Sequence, residues 1–497
     1  MNHPNLTHRP RRIVIIGGGV TGLSTAYHLQ KAFGPTTGDI EITLLESSDR
    51  LGGKLVSERS EGFLIDGGPD CFLTRKPWAL EVCRELGLED DLMGTNKAQR
   101  KVLVLSDGTL HPLPEGIMLV VPTKFLPFAL SPLISMPGKI RMAMDLFIPP
   151  RSEDGDETLG HFVRRRLGQE ALDKIAEPLL SGIHVAEADR LSLKASFPRL
   201  MAVEQKYGSL TRGMIAAKRR MIQSKAAAKR DGREPLPMFM SLQGGMQQYV
   251  DTLAEALDHP YTHVHLNSRV EGITETPGNE APYTVQLSDG QRLQADELVL
   301  TTPANVSSEL VHNLDAELAK ALGEIRFVST AVVSLAYRNG PGVPPFDGFG
   351  FLIPRSEGRR ITACTFSSTK FDNRTPEGYQ MLRCFMGGPG REEILQLDDE
   401  QLTEVAAREV ADILDISDAP VLSRTFRWPE LNPQYDLNHL DRVAALRDYA
   451  ADLGGITLAG CSYDGVGVPD CTRQGKEAAA QITERVLTLH PQTAKER

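Results

Sequence analysis

A mixed α/β fold organised by a nucleotide-binding β-α-β unit is what this sequence predicts, on three observations. A short apolar run near the N-terminus leads directly into a glycine cluster and then a helical repeat. A second apolar strand follows and ends on an acid. Strand-hairpin-strand and strand-turn-helix patterns then recur near residues 264–302 and 456–480.

The first run, Ile13-Val-Ile-Ile16, is wholly β-branched and reads as a strand buried on both faces. Gly17, Gly19 and Gly22 fit the G-x-G-x-x-G dinucleotide fingerprint, and Gly22, Ala26, Leu29 and Phe33 recur at helical spacing. In such a unit the first glycine permits the tight turn, the second lets the backbone approach a pyrophosphate, and the third lets helix and strand touch. The pyrophosphate then lies at the helix N-terminus, where free N–H groups and the dipole favour an anion. The second strand, Ile40-Glu-Ile-Thr-Leu-Leu45, ends on Glu46, where a ribose hydroxyl partner is expected.

The chain has 497 residues, enough for about two or three domains. Its formal net charge of −10 argues against nucleic acid as the main partner, because phosphate binding wants a basic face. No apolar run of about twenty residues is present, so no spanning helix is expected. The first dozen residues lack the apolar core of a signal peptide. Six cysteines (Cys71, Cys83, Cys364, Cys384, Cys461, Cys471) include no C-x-x-C pair and read as reduced, cytosolic thiols. No second G-x-G-x-x-G follows a strand, so no separate nicotinamide site is expected.

After Glu46 comes Asp49-Arg-Leu-Gly-Gly-Lys54, a glycine pair beside basic residues that suits a second contact with a phosphate-bearing cofactor. Gly17, Glu46 and Arg50-x-Gly52-Gly53 together resemble the amine-oxidase-like flavoproteins, which bind FAD through these segments. A helix is expected from Phe72 to about Glu89, and a hairpin over 101–113 turning at Asp107-Gly108. Residues 117–136 are strongly apolar but broken by Pro122, Pro127 and Pro132. They read as core or a substrate-tunnel wall, with an exposed membrane-surface patch as the alternative. Residues 139–210 look mainly helical, and Arg164-Arg-Arg166 reads as a solvated helix face. The basic stretch 215–235, with Lys218, Arg219, Arg220, Lys225, Lys229, Arg230 and Arg233, reads as a mobile surface loop, or else a contact with anionic lipid.

An ordered segment restarts at Ser241-Leu-Gln-Gly-Gly-Met246. His263 and His265 share one strand face without a third ligand nearby, so no metal site is expected. Residues 264–302 resemble the β-meander that completes FAD domains. Residues 305–425 form a mixed α/β unit without a nucleotide motif, the natural substrate layer. In the closing segment, Ile456 to Cys471, a glycine-rich turn aims a helix N-terminus at a flavin edge, where its dipole stabilises negative charge.

Four segments narrow the match: Gly67-Gly-Pro-Asp-Cys-Phe-Leu-Thr-Arg-Lys76, Glu177-Pro-Leu-Leu-Ser-Gly-Ile183, Ser241 to Met246, and Gly465-Val-Gly-Val-Pro-Asp-Cys471. Together they resemble the oxygen-dependent porphyrinogen oxidases. The likeness is greatest to the Gram-positive-type members that act on coproporphyrinogen III rather than protoporphyrinogen, and runs from Arg12 to about Leu487. The resemblance implies an FAD enzyme that aromatises a porphyrinogen late in heme synthesis, with O2 as acceptor and H2O2 as product. It implies a Rossmann-like FAD-binding domain of the amine-oxidase type over 10–72, 236–304 and 425–497. A mixed-sheet substrate domain would take 73–100 and 305–424, and a helical, membrane-facing domain 101–214.

It carries FAD contacts onto Gly17, Gly18, Gly19, Val20, Thr21 and Gly22, then Glu46, Ser47, Arg50, Gly53 and Lys54. Further FAD contacts fall on Gly68, Pro69, Asp70 and Cys71, on Val270 and Trp428, and on Val466, Gly467 and Val468. Lys76 and Arg75 are the implied partners of substrate propionates. The flavin carries the chemistry, and no catalytic side chain and no metal ligand is expected. The resemblance also implies a cytoplasmic enzyme able to touch the inner face of the membrane and an iron-inserting chelatase. The first alternative is a protoporphyrinogen IX oxidase; further competing readings are an FAD oxidase or desaturase for an amine or carotenoid, a non-catalytic tetrapyrrole carrier, and a nicotinamide dehydrogenase.

Overall fold

The computed structural model describes residues 9–34, 39–97, 101–118, 120–152, 155–230, 236–276 and 281–489. The apolar run forms β1 (Arg11–Ile16), the helical repeat α1 (Val20–Phe33) and the next run β2 (Ile40–Leu45). These join a five-stranded parallel sheet in the order Thr262–His265, β2, β1, Glu297–Leu300, Ile456–Leu458. Successive side chains of a strand point to opposite faces. Ile13 and Ile15 accordingly enter one core with Leu23, Ala26 and Leu29 of α1, while Val14 and Ile16 enter another. The second core lies under an antiparallel meander of Val270–Glu275, Tyr283–Leu287 and Arg292–Ala295. The C-terminal helix, Val468–Leu489, packs on α1 at close range because Gly475 has no side chain. A Cβ there would stand 2.6 Å from the Thr21 carbonyl oxygen. Ser24 Oγ ties the pair by donating to the Thr472 carbonyl at 2.9 Å.

A second, seven-stranded sheet holds Leu422–Pro433, Phe327–Arg338, Tyr379–Gly387, Ile361–Phe366 and Gly350–Leu352, then the hairpin Val102–Ser106 and Thr109–Pro112. The hairpin turns where expected, but its first strand pairs parallel with Gly350–Leu352, so it extends this sheet rather than the helical unit. Likewise Leu422–Pro433, which carries Trp428, is an edge strand of this sheet. The expected helix over 72–89 is shorter: Phe72–Leu73 pairs with Phe239–Leu242, and the helix begins after Pro77 as Trp78–Glu85.

The helical unit corrects two expectations and divides a third. The stretch 215–230 is the continuation of a helix, Leu210–Arg230, not a loop; residues 231–235 lie outside the described residues. The arginine triplet is not a solvated face. Arg166 is fully buried, its Nε donating to Asp145 Oδ1 at 2.6 Å and its Nη1 reaching Glu204 at 3.3 Å. Arg165 pairs with Glu157 and Glu204, and only Arg164 turns outward, to Asp189. Residues 117–136 divide: Val121, Phe128, Leu133 and Ile134 are core, while Phe125, Leu126 and Leu130 stand 58%, 70% and 75% exposed.

Candidate functional site

The glycine turn sits at the C-terminal end of β1. Gly17 adopts φ +109°, which a side chain disfavours, and a Cβ on Gly22 would lie 2.0 Å from the Gly17 carbonyl oxygen. Gly19 differs. It caps α1 in extended backbone without a side-chain bond, and a Cβ there would meet nothing within 4 Å among the described residues. The first turn of α1 therefore directs its N–H groups into open space. That is a cradle for an anion.

A second glycine turn lies against the first. Gly52 N–H donates to the Gly18 carbonyl at 2.8 Å, and a Cβ on Gly53 would sit 3.5 Å from Gly19 Cα. Glu46 braces the pair, Oε2 accepting from Gly18 N–H at 2.8 Å and Oε1 from Ser48 N–H at 2.9 Å. Ser47 Oγ also donates to Oε1, at 3.3 Å. Ser48 Oγ donates to Oε1 as well, at 2.9 Å, so Oε1 is filled and the acceptor position left for a hydroxyl is on Oε2, which takes only the Gly18 N–H among the described residues. Ser268 N–H donates to the Glu46 carbonyl at 2.8 Å, which brings the buried Val270 to the same end. Arg50 instead turns back on its own loop, donating to the carbonyls of Leu51, Gly53 and Leu55. Its charge closes the turn.

The segment 66–71 fixes the two sheets to each other. Trp428 Nε1 donates to the Gly67 carbonyl at 3.0 Å, and Lys54 Nζ to the Leu431 carbonyl at 2.8 Å on the same strand. Gly68 allows the Lys54 carbonyl within 1.8 Å of where a Cβ would be, and its own carbonyl accepts from Arg383 at 2.5 Å. Pro69 is exposed beside it. Asp70 is clamped by Lys370 at 2.8 Å and Arg383 at 3.3 Å; the Lys370 charge, then Arg383, outweigh burial and hold its carboxyl well below the usual range. Burial, then the Asp70 charge, pushes the Cys71 thiol up to about 12, so it is neutral rather than nucleophilic.

At the other end, Val466, Gly467 and Val468 lead into the C-terminal helix, and Val466 packs on the core of the helical unit. Tyr435 holds this turn: its hydroxyl accepts from Gly465 N–H at 2.8 Å and donates to the Cys461 carbonyl at 2.7 Å. Its ring stacks on His439 at 3.8 Å. Lys76, expected to meet substrate carboxylate, donates to both oxygens of Asp470 at 2.7 and 2.6 Å. Arg75 is exposed; partial burial, then the nearby Arg199 charge, lowers its proton affinity.

Asp470, Lys370, Arg383, Tyr435 and His184 were not legible as site residues. Burial, reinforced by the Lys76 charge, lowers the His184 imidazole to about 4, so it is neutral at pH 7. It meets Phe197 edge-on at 5.1 Å. His263 lies 3.5 Å from Glu41, and no group of three metal-type ligands comes together among the described residues.

A parallel sheet with two glycine turns over one helix N-terminus, an acid at the next strand end and a large second sheet define a dinucleotide-binding protein with a second sheet appended. The family model for flavin-containing amine oxidoreductases matches residues 20–483. The chain is 35% identical over 471 residues to a coproporphyrinogen III oxidase of Bacillus subtilis (strain 168), covering 95% of this chain and 97% of that one. It is 32% identical over 499 residues to a protoporphyrinogen oxidase of Bos taurus, covering 95% and 98%. A crystal structure from Exiguobacterium sp. 255-15 superposes with a TM-score of 0.83 at 32% identity, covering 96% of this chain and 99% of that one. The chain belongs to the flavin-containing amine oxidoreductase family.

Proposed function

We propose that this protein is an FAD-dependent oxidase that converts coproporphyrinogen III to coproporphyrin III in heme synthesis, passing electrons to O2 and releasing H2O2. The observation that carries this is the 35% identity to a coproporphyrinogen III oxidase along 95% of the chain. Bound FAD supplies hydride acceptance and reoxidation by oxygen. The residues present fit it. The open N–H groups around Gly19, Val20 and Thr21 suit a pyrophosphate, and Glu46, with Val270 beside it, suits the adenosine end. The turn Val466–Val468 presents a helix N-terminus to the ring, and the clamp on Asp70 fixes Gly68 to Cys71 against the substrate sheet. Lys76 and Arg75 border this region as cations for propionates, with Lys76 exchanging between Asp470 and substrate.

The second reading, protoporphyrinogen oxidation, rests on the 32% identity to the Bos taurus enzyme. Purified protein should release FAD on denaturation and form fluorescent coproporphyrin with stoichiometric peroxide in air. Absence of flavin, or of porphyrin from either porphyrinogen, would sink both readings.

Contact with a membrane surface belongs to the same proposal. No helix among the described residues is long and apolar enough to cross a membrane. Phe125, Leu126, Leu130, Met136, Ile140 and Phe147 are nevertheless exposed on one unit, with Phe147 at 83%. Apolar side chains beside Lys124 and Lys139 suit an anionic bilayer, and hand-over to a chelatase would occur from that face.

A further inference from the structure

A cavity away from the cofactor cradle lies at the seam between the helical unit and the seven-stranded sheet. It measures about 30 Å3 and is lined by Glu177, Val185, Ile353, Arg355, Gly388 and Arg391. That is room for one or two water-sized groups, the scale of a carboxylate head. Arg355 sits on the turn Arg355–Glu357 after one strand, and Arg391 on the turn after Tyr379–Gly387. Glu177 opens the helix Glu177–His184 that lies across them.

The two guanidiniums there are unequally paired. Arg355 Nε meets Glu177 Oε1 at 3.0 Å. The Arg391 side chain makes no hydrogen bond or ion pair among the described residues. Burial, then the repulsion of Arg355, lowers its proton affinity. Glu177 and Glu393 attract Arg391 through space, but neither pairs with it among the described residues, which leaves its donors open in a partly desolvated place where unpaired donors are costly. A ligand carboxylate supplies the missing partner, and a guanidinium fork receives it with two parallel bonds. The walls suit a short alkyl arm: Val185 and Ile353 are apolar, and Gly388, at φ +83°, keeps the site open, since a Cβ there would stand 3.0 Å from Val185 Cγ1.

The same helix end borders both sites. Val185 lines the cavity, while its neighbour His184 feels the charge of Lys76, which binds Asp470 at the start of the C-terminal helix. We propose that Arg391, with Arg355, forms a second carboxylate-binding subsite that takes a propionate of the porphyrinogen and favours substrates with more acidic arms. This rests on the porphyrinogen reading above. Neither the fingerprint nor the implied substrate residues Lys76 and Arg75 include it.

Arg391→Gln and Arg391→Lys test it in flavin-loaded protein, with coproporphyrin III and its tetramethyl ester titrated by porphyrin fluorescence. Arg391→Gln should weaken the tetra-acid about 10-fold, leave the ester unchanged and retain full flavin content, with partial recovery in Arg391→Lys. In turnover the loss should fall on KM for coproporphyrinogen III rather than on kcat. Equal tetra-acid affinity in wild type and Arg391→Gln overturns the subsite and leaves the functional reading standing. Equal loss of acid and ester also overturns it, because a packing role moves both. A wild type that neither binds these porphyrins nor oxidises a porphyrinogen overturns the functional reading and the subsite together.

Discussion

Gly19 and Gly22 belong to one fingerprint yet do different work, and the difference can be measured. Gly22 is a packing glycine, its missing Cβ replaced by the Gly17 carbonyl; Gly19 faces open space at φ −72°, a value any residue adopts. Gly19→Val should leave apoprotein stability within about 1 kcal/mol and abolish FAD retention, whereas Gly22→Ala should lower the melting temperature of the apoprotein itself. Calorimetry beside flavin absorbance separates the two. His184 makes a pH prediction. Its folded value, about 4, lies below the ordinary imidazole value of 6.5, so the unfolded chain binds more protons between them. Stability from this group is complete above pH 6.5 and lost as pH falls toward 4. His184→Phe should flatten the wild-type decline of melting temperature across that window; an unchanged slope rejects the assignment. At this scale the turn of Gly17, Gly19 and Gly22 was legible in the sequence, because its backbone geometry demands glycine at close approaches. The sequence could not show that Arg50 would turn inward or that Lys76 would find Asp470, since the partner of a flexible cation is set by tertiary approach.

Elements were legible where periodicity decides them and illegible where covering decides them. β1, α1, β2 and the hairpin at Asp107-Gly108 fall where pattern and turn chemistry placed them. The helix Leu159–Leu167 also forms, but its arginines were misread, because the carboxylates that bury Arg165 and Arg166 come from residues 145, 157 and 204 on separate elements. Arg166 is enclosed with Asp145, which Ser209 Oγ and Thr211 N–H also bind. Arg166→Met should cost about 3–5 kcal/mol, because it leaves Asp145 buried without its counter-charge. Urea denaturation measures this, and a loss under about 1 kcal/mol would contradict the assignment. The Tyr435 clamp predicts a separate outcome. Tyr435→Phe leaves Gly465 N–H and the Cys461 carbonyl without their partner while keeping the stack on His439, so the apoprotein should lose about 1–3 kcal/mol and FAD should dissociate more readily.

Across the whole molecule, the two sheets face different tasks. The parallel sheet aims strand ends and one helix N-terminus at a dinucleotide; the mixed seven-stranded sheet and the helical unit lie beside it. The segment 66–71, Trp428 and Lys54 bridge the sheets, which is why residues distant in sequence converge. The exposed apolar face makes a prediction at this scale: the protein should co-sediment with anionic vesicles, and Phe147→Asp with Leu130→Asp should release it without loss of turnover.

The number of carboxylates on the porphyrinogen distinguishes the two substrates. The most direct test of substrate identity is the rate of porphyrin formation in air from coproporphyrinogen III and protoporphyrinogen IX, supplied separately to the same flavin-loaded preparation. The tetracarboxylate should show the higher kcat/KM, with peroxide released in step. An equal or higher kcat/KM on the dicarboxylate would contradict the coproporphyrinogen reading.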